Sequence, residues 1–342
     1  MPGLPATLLA ASLAVCRPAT VRRVRPMMAT YVAITAVGCD EGRLAEGVRI
    51  AFSEMERLAG ILSEWDPRSA VSRVSARAGE AAVAVPPELY EVLGAGQRVA
   101  ALTGGAFDVT WAALAGLWRF DAPNPRPPDP AEVAKARTLV DYRDLLLDPS
   151  GRTAFLRRKG MRIGLGGIAK GYIAAAAADL LVARGIRDVL VAASGDIAAR
   201  GTNGGRPWRV AIRDPRREDA IVATIDLHDE SISTAGDYER CFFSGGVRYH
   251  HILDPKTGWP ARGVASVTVV GKSGVLADGL DDGLFVLGPG PGGRVAAATA
   301  GIGALFVGED GTIRTAGELG KDFVLRARTQ GGITAARQEA SR

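Results

Sequence analysis

The stretch YHHILDPKTGWPA, from Tyr249 to Ala261, places two adjacent histidines and an aspartate in one short loop. Two of the chain's three histidines lie here. An imidazole exchanges its proton near neutral pH without special tuning, and Asp254 can orient a partner or a metal ion. The prolines and the glycine indicate a turn that holds these groups in place. The stretch therefore indicates either a catalytic loop or the solvated end of a surface hairpin.

A second stretch, GLGGIAKGYIAAAAA from Gly164 to Ala178, runs from a glycine cluster directly into an alanine-rich helix. Backbone N–H groups at such a helix start favour a phosphate, and Lys170 lies beside them. The spacing matches neither a Walker A loop nor a GxGxxG fingerprint. The pattern indicates an anion site or, alternatively, a close crossing of strand and helix that the glycines permit.

A third stretch, ADGLDDGLFVL from 277 to 287, belongs to a helix predicted over 273–287. Asp278 and Asp282 are four residues apart, hence on one face, where two carboxylates can share a divalent cation. A solvated helix that tolerates an acidic pair is the alternative. Asp108, which follows two glycines, is predicted either to cap a helix or to contact a ligand.

The remaining pattern predicts an α+β fold. An alternating, β-branched run at 30–37 predicts a strand, and apolar spacings of three and four at 42–65 predict a long amphipathic helix. Further helices are predicted at 86–103 and 130–139, paired strands at 209–213 and 220–227, a loop at 289–293 and a last hairpin at 302–315. No internal repeat is found. We expect one unit of mixed or antiparallel sheets with packed helices, in one or two lobes with the ligand between them.

Composition excludes several classes of protein. The chain has 342 residues, of which 47% are hydrophobic and 23% charged, which is typical of a folded globular protein. Its net charge of +5 is spread along the sequence, and only 6% of residues are aromatic. A nucleic-acid-binding surface needs clustered basic residues, so we expect no nucleic-acid partner. The cysteines at 16, 39 and 241 lack the spacing of a metal site.

The amino terminus resembles an export segment. Gly3 to Cys16 is apolar over a length that suits a signal-peptide core and is too short to span a bilayer. LAVC at 13–16 resembles a lipoprotein cleavage site with Cys16 as the lipidated residue. We expect a periplasmic or inner-membrane-associated protein, with membrane association through this segment. Because a positive n-region is missing, a cytoplasmic protein remains the alternative.

Four stretches in this order resemble the FAD:protein FMN transferase family, the ApbE-type flavin transferases. They are GAFDVTWAALAGLW at 105–118, GGIAKGY at 166–172, TAGDYER followed by YHHILDPKTGWPARG, and ADGLDDGLFVLG at 277–288. The resemblance runs from Arg25 to Arg326 and implies the flavin-transferase, T-fold-like architecture. We therefore expect a separate segment at 1–24, a flavin-transferase-like domain at 25–328 and a loose tail at 329–342.

The resemblance implies a magnesium-dependent reaction in which FMN is transferred from FAD to a Thr or Ser hydroxyl of another protein and AMP leaves. The expected partner is an acceptor redox protein with an Asp-x-x-Ser/Thr-Gly-Ala-Ser/Thr type of sequence. By motif, His251 is the expected base and His250 its neighbour. The cation would be held by the main-chain carbonyl of Ala169, by Asp278 and by Asp282. The positions that match the family's FAD contacts are Met28, Ala106, Phe107, Asp108, Lys170, Thr234 and Ile252. The segment from Ser63 to Trp65 is a further candidate for contact with FAD.

Three residues depart from the family pattern. Asp282 stands where the family usually has Thr, Gly164 where it tends to have Asp, and Ala235 where it has Ser. The added carboxylate should tighten a divalent cation but can also repel the pyrophosphate. Two alternatives therefore remain: a homologue that binds FAD or hydrolyses it to FMN and AMP without modifying a partner, and an electron-transfer flavoenzyme.

Overall fold

The structure is a computed structural model that describes residues 18–327 and 334–335. The predicted export segment, Cys16 and all but two residues of the predicted tail lie outside the described residues. Within that part of the chain are seven α-helices: α1 (Glu41–Leu62), α2 (Ala70–Ala76), α3 (Pro87–Leu102), α4 (Pro130–Arg137), α5 (Ala169–Ala183), α6 (Gly274–Leu287) and α7 (Pro291–Ala298).

The strands, in chain order, are β1 (Ala19–Met27), β2 (Thr30–Gly38), β3 (Val83–Ala84), β4 (Leu145–Asp148), β5 (Thr153–Leu156), β6 (Asp188–Ala193), β7 (Asp196–Arg200), β8 (Trp208–Asp214), β9 (Arg217–Leu227), β10 (Ser231–Gly236), β11 (Cys241–Ser244), β12 (Val247–His250), β13 (Val264–Gly271), β14 (Gly303–Gly308), β15 (Ile313–Gly317), β16 (Val324–Ala327) and β17 (Thr334–Ala335).

One eight-stranded sheet forms the centre, in the order β1-β2-β6-β7-β10-β13-β14-β15. Every neighbouring pair in it is antiparallel. There are three smaller sheets among the described residues. One pairs β11 with β12, the second has four strands in the order β17-β16-β9-β8, and the third has three strands in the order β3-β5-β4. The α+β prediction with antiparallel sheets is confirmed.

The large sheet is covered on both faces. One face packs against α1, α3, α5 and α6, and the main hydrophobic core lies between them. The other face packs against β8 and β9 through a second core that includes Trp208 and Ile225. Strand β13 is buried along its whole length, since it lies between the two cores. A third, aromatic cluster around Trp118 and Tyr249 packs the histidine-bearing segment against the loop after α3.

Three local predictions need correction. The strand predicted at 30–37 is the second in the chain, because β1 (Ala19–Met27) precedes it and pairs with it along its length. The loop predicted at 289–293 instead leads into α7, which starts at Pro291 because proline suits the first helical position. Strand β7, which follows the tight turn after β6, was not predicted. No helix among the described residues is long and apolar enough to cross a membrane.

Candidate active site

Two tight turns lie at the same end of the large sheet. Met28 and Ala29 join β1 to β2, and Ser194 begins the turn from β6 to β7. The pairing of Val32 with Ala193 places the two turns next to each other. Met28, Ala29 and Ser194 have φ angles of 53°, 58° and 61°, in the left-handed region that favours glycine. Such strain persists where the surrounding structure enforces it, and it concentrates at functional sites.

Helices α5 and α6 cross in direct contact beside these turns. A Cβ atom on Gly171 would lie 2.3 Å from the carbonyl oxygen of Gly274 and 2.6 Å from Cβ of Asp278. Glycine is therefore required for this approach. The Gly171 N–H donates to Asp278 Oδ2 at 2.7 Å. The crossing thus brings the start of α5, with Ala169 and Lys170, against the acidic face of α6.

A chain of polar contacts links these helices to the sheet. The Lys170 ammonium donates to Asp196 Oδ2 at 2.6 Å, and Asp196 begins β7. Ser233 Oγ on β10 lies 2.7 Å from Asp196 Oδ1 and 2.6 Å from Asp281 Oδ2. A hydroxyl carries one proton and can donate to only one of two carboxylates at a time. The second contact therefore requires a protonated carboxyl that donates to Ser233 Oγ, which suits Asp281, whose pKa is raised by burial.

The site contains more acidic than basic side chains. Asp196, Asp278 and Asp281 are almost fully buried, and Lys170 forms an ion pair with Asp196. Burial and the nearby Asp196 raise the pKa of Asp278 to about 8. Burial, opposed by Lys170, raises the pKa of Asp282 to about 7. Burial and the neighbouring carboxylates raise the pKa of Asp281 as well.

Lys170 keeps its charge in this environment. Burial alone would lower the pKa of its ammonium, but Asp196, Asp278 and Asp281 outweigh burial and raise it above its ordinary value. The side chain nevertheless remains about one-third exposed, at 32%. A charged, partly accessible ammonium can therefore face an anionic ligand.

His250 has a structural role. Its ring is 1% exposed and meets Phe285 edge-on, with ring centroids 5.4 Å apart. The Ile252 N–H donates to Nδ1, so Nε2 carries the proton and donates to the Ala261 carbonyl at 2.8 Å. Because both ring nitrogens are used, His250 braces the loop.

His251, unlike His250, has a ring nitrogen that is not hydrogen-bonded within the described residues. Its backbone N–H donates to the Arg240 carbonyl, while its buried Nδ1 has no hydrogen-bond partner among the described residues. Burial, with smaller effects of His250, Arg240 and Lys170, lowers the pKa of this imidazole to about 4. The ring is therefore neutral at pH 7 and can accept a proton.

Phe107 and Asp282 meet at the glycine loop before α5. A Cβ on Gly167 would lie 2.1 Å from Asp282 Oδ2 and 3.5 Å from the Phe107 ring. A Cβ on Gly283 would lie 3.2 Å from Phe107 Cβ. The predicted positions Ala106, Phe107 and Asp282 are therefore part of the same region as Lys170.

Gly164, which stands where the family resemblance leads us to expect Asp, packs directly against Trp111. A Cβ at this position would lie 2.6 Å from Nε1 of Trp111 and 3.0 Å from Cβ of Ala112. The Trp111 indole thus occupies the space that the side chain of the expected Asp would need.

Asp108 caps a helix, as one of its two interpretations predicts. Its Oδ1 accepts from the N–H and the hydroxyl of Thr110, and its Oδ2 accepts from the Tyr142 N–H at 2.7 Å. Both oxygens are thus engaged in the local fold. Thr234, on β10, shares a hydrogen bond with Thr268 at 2.8 Å, and its carbonyl lies against Gly195 of the strained turn.

The expectation of free N–H groups at the start of α5 is wrong for several of them. The Leu165 and Gly166 N–H groups both donate to Glu64 Oε2, and the Gly171 N–H donates to Asp278. Burial raises the pKa of Glu64 above its ordinary value. The glycines here permit close packing, and the phosphate interpretation must depend on Lys170 more than on the helix start.

The acidic face of α6 suits a hard divalent cation. Mg²⁺ prefers carboxylate and carbonyl oxygens, which Asp278, Asp282 and the Ala169 carbonyl supply. Within residues 18–327, no three His, Cys, Asp or Glu side chains alone form a metal-binding group. The remaining ligands of a cation at Asp278 and Asp282 would come from other oxygens, such as the Ala169 carbonyl, water or a phosphate of the substrate.

Sequence reasoning missed Asp196, Ser233 and Asp281. Asp281 is three residues from Asp278 and hence on the same helical face, so its spacing could have included it. Asp196 and Ser233 are joined only by the pairing of β7 with β10, which no local pattern reveals.

The chain is similar in sequence to a known protein family. The sequence model of the ApbE family matches residues 28–306. A protein named FAD:protein FMN transferase from Klebsiella pneumoniae is 35% identical over 272 residues, covering 77% of each chain. Its counterpart in Salmonella typhimurium is 34% identical over 271 residues, covering 76% of this chain and 77% of the other.

Solved structures agree with these sequence matches. The ApbE protein of Thermotoga maritima superposes with a TM-score of 0.80 at 32% identity, covering 87% of this chain and 97% of its own. The flavin transferase ApbE of Vibrio cholerae gives 0.77 at 31% identity, covering 88% and 98%.

Proposed function

This chain belongs to the ApbE family, and on that premise we propose that it transfers FMN from FAD to a Thr or Ser hydroxyl of an acceptor protein. The bond that forms joins the hydroxyl oxygen to the phosphorus of the FMN half. The bond that breaks is the phosphoanhydride to AMP, which leaves. Relatives that cover about three-quarters of this chain are named for this transfer.

His251 takes the proton of the acceptor hydroxyl in this proposal. Its lowered pKa keeps the imidazole neutral, and its Nδ1 is unpartnered among the described residues. A neutral ring nitrogen without another hydrogen-bond partner can accept a proton from a hydroxyl placed within hydrogen-bond distance of it. His250 fixes the loop through its bonds to Ala261 and Ile252, so that His251 is held in one orientation.

Lys170 holds the pyrophosphate of FAD. Its ammonium is fixed by Asp196, which Ser233 fixes in turn, so little side-chain entropy is lost when the phosphate binds. A positioned cation lowers the free energy of a phosphoryl group that gains charge in the transition state. The neighbouring carboxylates keep the ammonium protonated throughout.

Asp278, Asp282 and the Ala169 carbonyl would hold the magnesium ion. When bound, the ion would offset the charge of the pyrophosphate oxygens and of the acidic face of α6. The Gly171–Gly274 contact sets the separation of α5 and α6, and therefore the separation of these ligands. Phe107, beside Gly167, packs next to the flavin or the adenine of FAD.

The acceptor is a separate protein, and its site lies outside this chain. The sequence Asp254-Pro-Lys-Thr257-Gly258 resembles half of an acceptor site, but it forms a closed turn in which Thr257 and Gly258 N–H groups donate to the Asp254 carbonyl. From the amino-terminal sequence we place the protein in the periplasm or at the inner membrane. Cell fractionation would test that location.

One observation supports the proposal above the others: helices α5 and α6 cross in direct contact, which brings Lys170, ion-paired with Asp196, beside the acidic face of α6, where the Gly171 N–H donates to Asp278 Oδ2 at 2.7 Å. The experiment mixes the protein with FAD, magnesium and a domain that carries the acceptor sequence. Covalent flavin fluorescence on the acceptor supports the transferase. AMP with free FMN indicates a hydrolase, and intact bound FAD indicates a binding protein or a flavoenzyme.

A further inference from the structure

A second pocket, of about 370 Å³, lies at the base of the histidine-bearing loop and is lined largely by charged side chains. Three of them are arginines: Arg216 after β8, Arg248 on β12 and Arg262 after the loop. Two are acids, Asp237 and Glu309. None of these five residues belongs to the site built around His251 and Lys170.

The positive charge in this pocket exceeds the negative charge. Asp237 is 1% exposed and accepts two hydrogen bonds from Arg216, at 2.6 and 2.7 Å, while Arg248 Nε lies 3.8 Å from it. Glu309 accepts from the Gly263 N–H at 3.0 Å. Three guanidinium groups thus face two carboxylates, which leaves one positive charge uncompensated.

Arg262 carries that uncompensated charge. Among residues 18–327 it has no carboxylate within the 4.0 Å distance of an ion pair. Its Nη1 donates to the Arg248 carbonyl at 2.5 Å, and its guanidinium lies over the Tyr249 ring at 5.4 Å. These contacts hold the side chain in place and leave its other N–H donors free to bind a ligand.

Arg248 is fixed in a similar manner. Its guanidinium lies over the Phe243 ring at 4.8 Å. A guanidinium is planar and presents paired donors that match the two oxygens of a carboxylate or a phosphate. Both guanidinium groups are oriented by an aromatic ring, which reduces the conformational freedom that they lose when an oxyanion binds.

Two arginines of the pocket lie at the ends of the loop that carries His251. Arg248 and Arg262 flank the segment from 249 to 261, and His250 closes that segment by donating to the Ala261 carbonyl at 2.8 Å. A ligand that draws the two arginines together would therefore act on the same loop that carries His251.

We infer that this pocket binds an oxyanion, either the carboxylate of a protein segment or a free phosphate group. Its surplus of arginines over acids, its size and its ring-stacked guanidinium groups all fit this chemistry. The inference stands on these contacts alone and does not depend on the flavin reaction.

The test uses the full protein saturated with FAD and without magnesium, so that the pyrophosphate site is filled. Calorimetry measures the binding of two probes, inorganic phosphate and a blocked acidic pentapeptide. Arg262→Gln should weaken whichever probe binds by about tenfold, because a charge-assisted hydrogen bond is lost. Lys256→Gln is the matched control: it removes the same charge from an exposed position of the same loop and should change binding by less than about twofold.

Phosphate binding alone would identify a free phosphate as the occupant, and peptide binding would identify an acidic protein segment. Failure of both probes to bind the wild-type protein would overturn the inference. An equal loss in Arg262→Gln and Lys256→Gln would also overturn it, since the binding would then be non-specific attraction to net charge. The FAD affinity of each variant, measured by flavin fluorescence, checks that the fold is intact.

Discussion

At the scale of single residues, His251 should decide turnover without affecting substrate affinity. His251→Ala removes the nitrogen that accepts the acceptor's proton, so AMP release should fall by about 100-fold or more, the range of general-base catalysis. FAD affinity should stay within about twofold, because no pyrophosphate contact is lost. His228→Ala is the control, since this third histidine is exposed in the turn that follows β9. Unchanged AMP release in His251→Ala would remove this residue as the base.

The free energy of unfolding of the metal-free protein should depend on pH through the ionisation of Asp278. Its pKa is raised from 3.8 to about 8 by burial and by Asp196, so the folded state holds a proton that the unfolded state loses. The associated stability is complete below about pH 4 and is lost as pH rises towards 8, by at most about 1.4 kcal/mol per pH unit.

Urea unfolding in EDTA at pH 5 and at pH 8 measures this loss. Asp278→Asn, which cannot ionise, should show a smaller fall in the free energy of unfolding between the two values. Parallel pH profiles for the wild type and the variant would contradict the buried, protonated state of Asp278.

Asp282 should tighten the divalent cation relative to a hydroxyl ligand. Asp282→Thr exchanges a charged oxygen for a neutral one, and magnesium binding should weaken on the order of tenfold. Calorimetry with the FAD-free protein measures this without any catalytic readout. Equal affinities in the two proteins would show that the Asp282 carboxylate does not reach the ion.

The residue chemistry was only partly predictable from the sequence. The two histidines, Lys170 and the Asp278–Asp282 pair stand in recognisable local patterns. Asp108 was ambiguous between a cap and a ligand contact, and only the geometry of Thr110 and Tyr142 shows both oxygens engaged in the local fold. Ser233 and Asp196 could not be found, because strand pairing rather than spacing joins them.

At the scale of elements, the crossing of α5 and α6 is the feature on which the site's dimensions depend. Gly171→Ala would place a methyl group 2.3 Å from the Gly274 carbonyl oxygen, so the helices must separate. We expect a loss of about 1–3 kcal/mol in the free energy of unfolding, as for other overpacked contacts, together with reduced AMP release.

Gly60→Ala is the matched control for that variant. Gly60 lies within α1, and a Cβ added there meets no atom within 4 Å. It should be neutral or stabilising by up to about 1 kcal/mol, since alanine favours a helix. Chemical denaturation of both variants compares them directly. A Gly171→Ala protein as stable and active as Gly60→Ala would contradict the close crossing.

Long amphipathic elements were the most predictable. The periodic run at 42–65 and the helix at 273–287 correspond closely to α1 and α6, because each has a continuous apolar face. The glycine-rich segment at 289–293 gave no such pattern, so α7 was missed. The glycines before α5 were predicted to bind phosphate, whereas two of the local N–H groups contact Glu64, which lies about a hundred residues earlier in the chain.

At the scale of the whole molecule, the large sheet brings distant parts of the sequence to one end. The turns at 28–29 and 194–195, strand β10 and helix α6 come together there. The order of the strands follows from pairings between segments far apart in the chain, which the sequence does not reveal locally. The family resemblance supplied the architecture, and the match to residues 28–306 confirms the family.

The measurement that tests the central claim most directly compares two products of one reaction. Protein, FAD, magnesium and an acceptor domain are incubated, AMP is quantified by chromatography, and the acceptor is weighed by mass spectrometry. The account predicts one AMP released for each FMN attached, with the added mass on the Thr or Ser of the acceptor sequence. AMP without any gain in acceptor mass, or intact FAD after prolonged incubation, would contradict it.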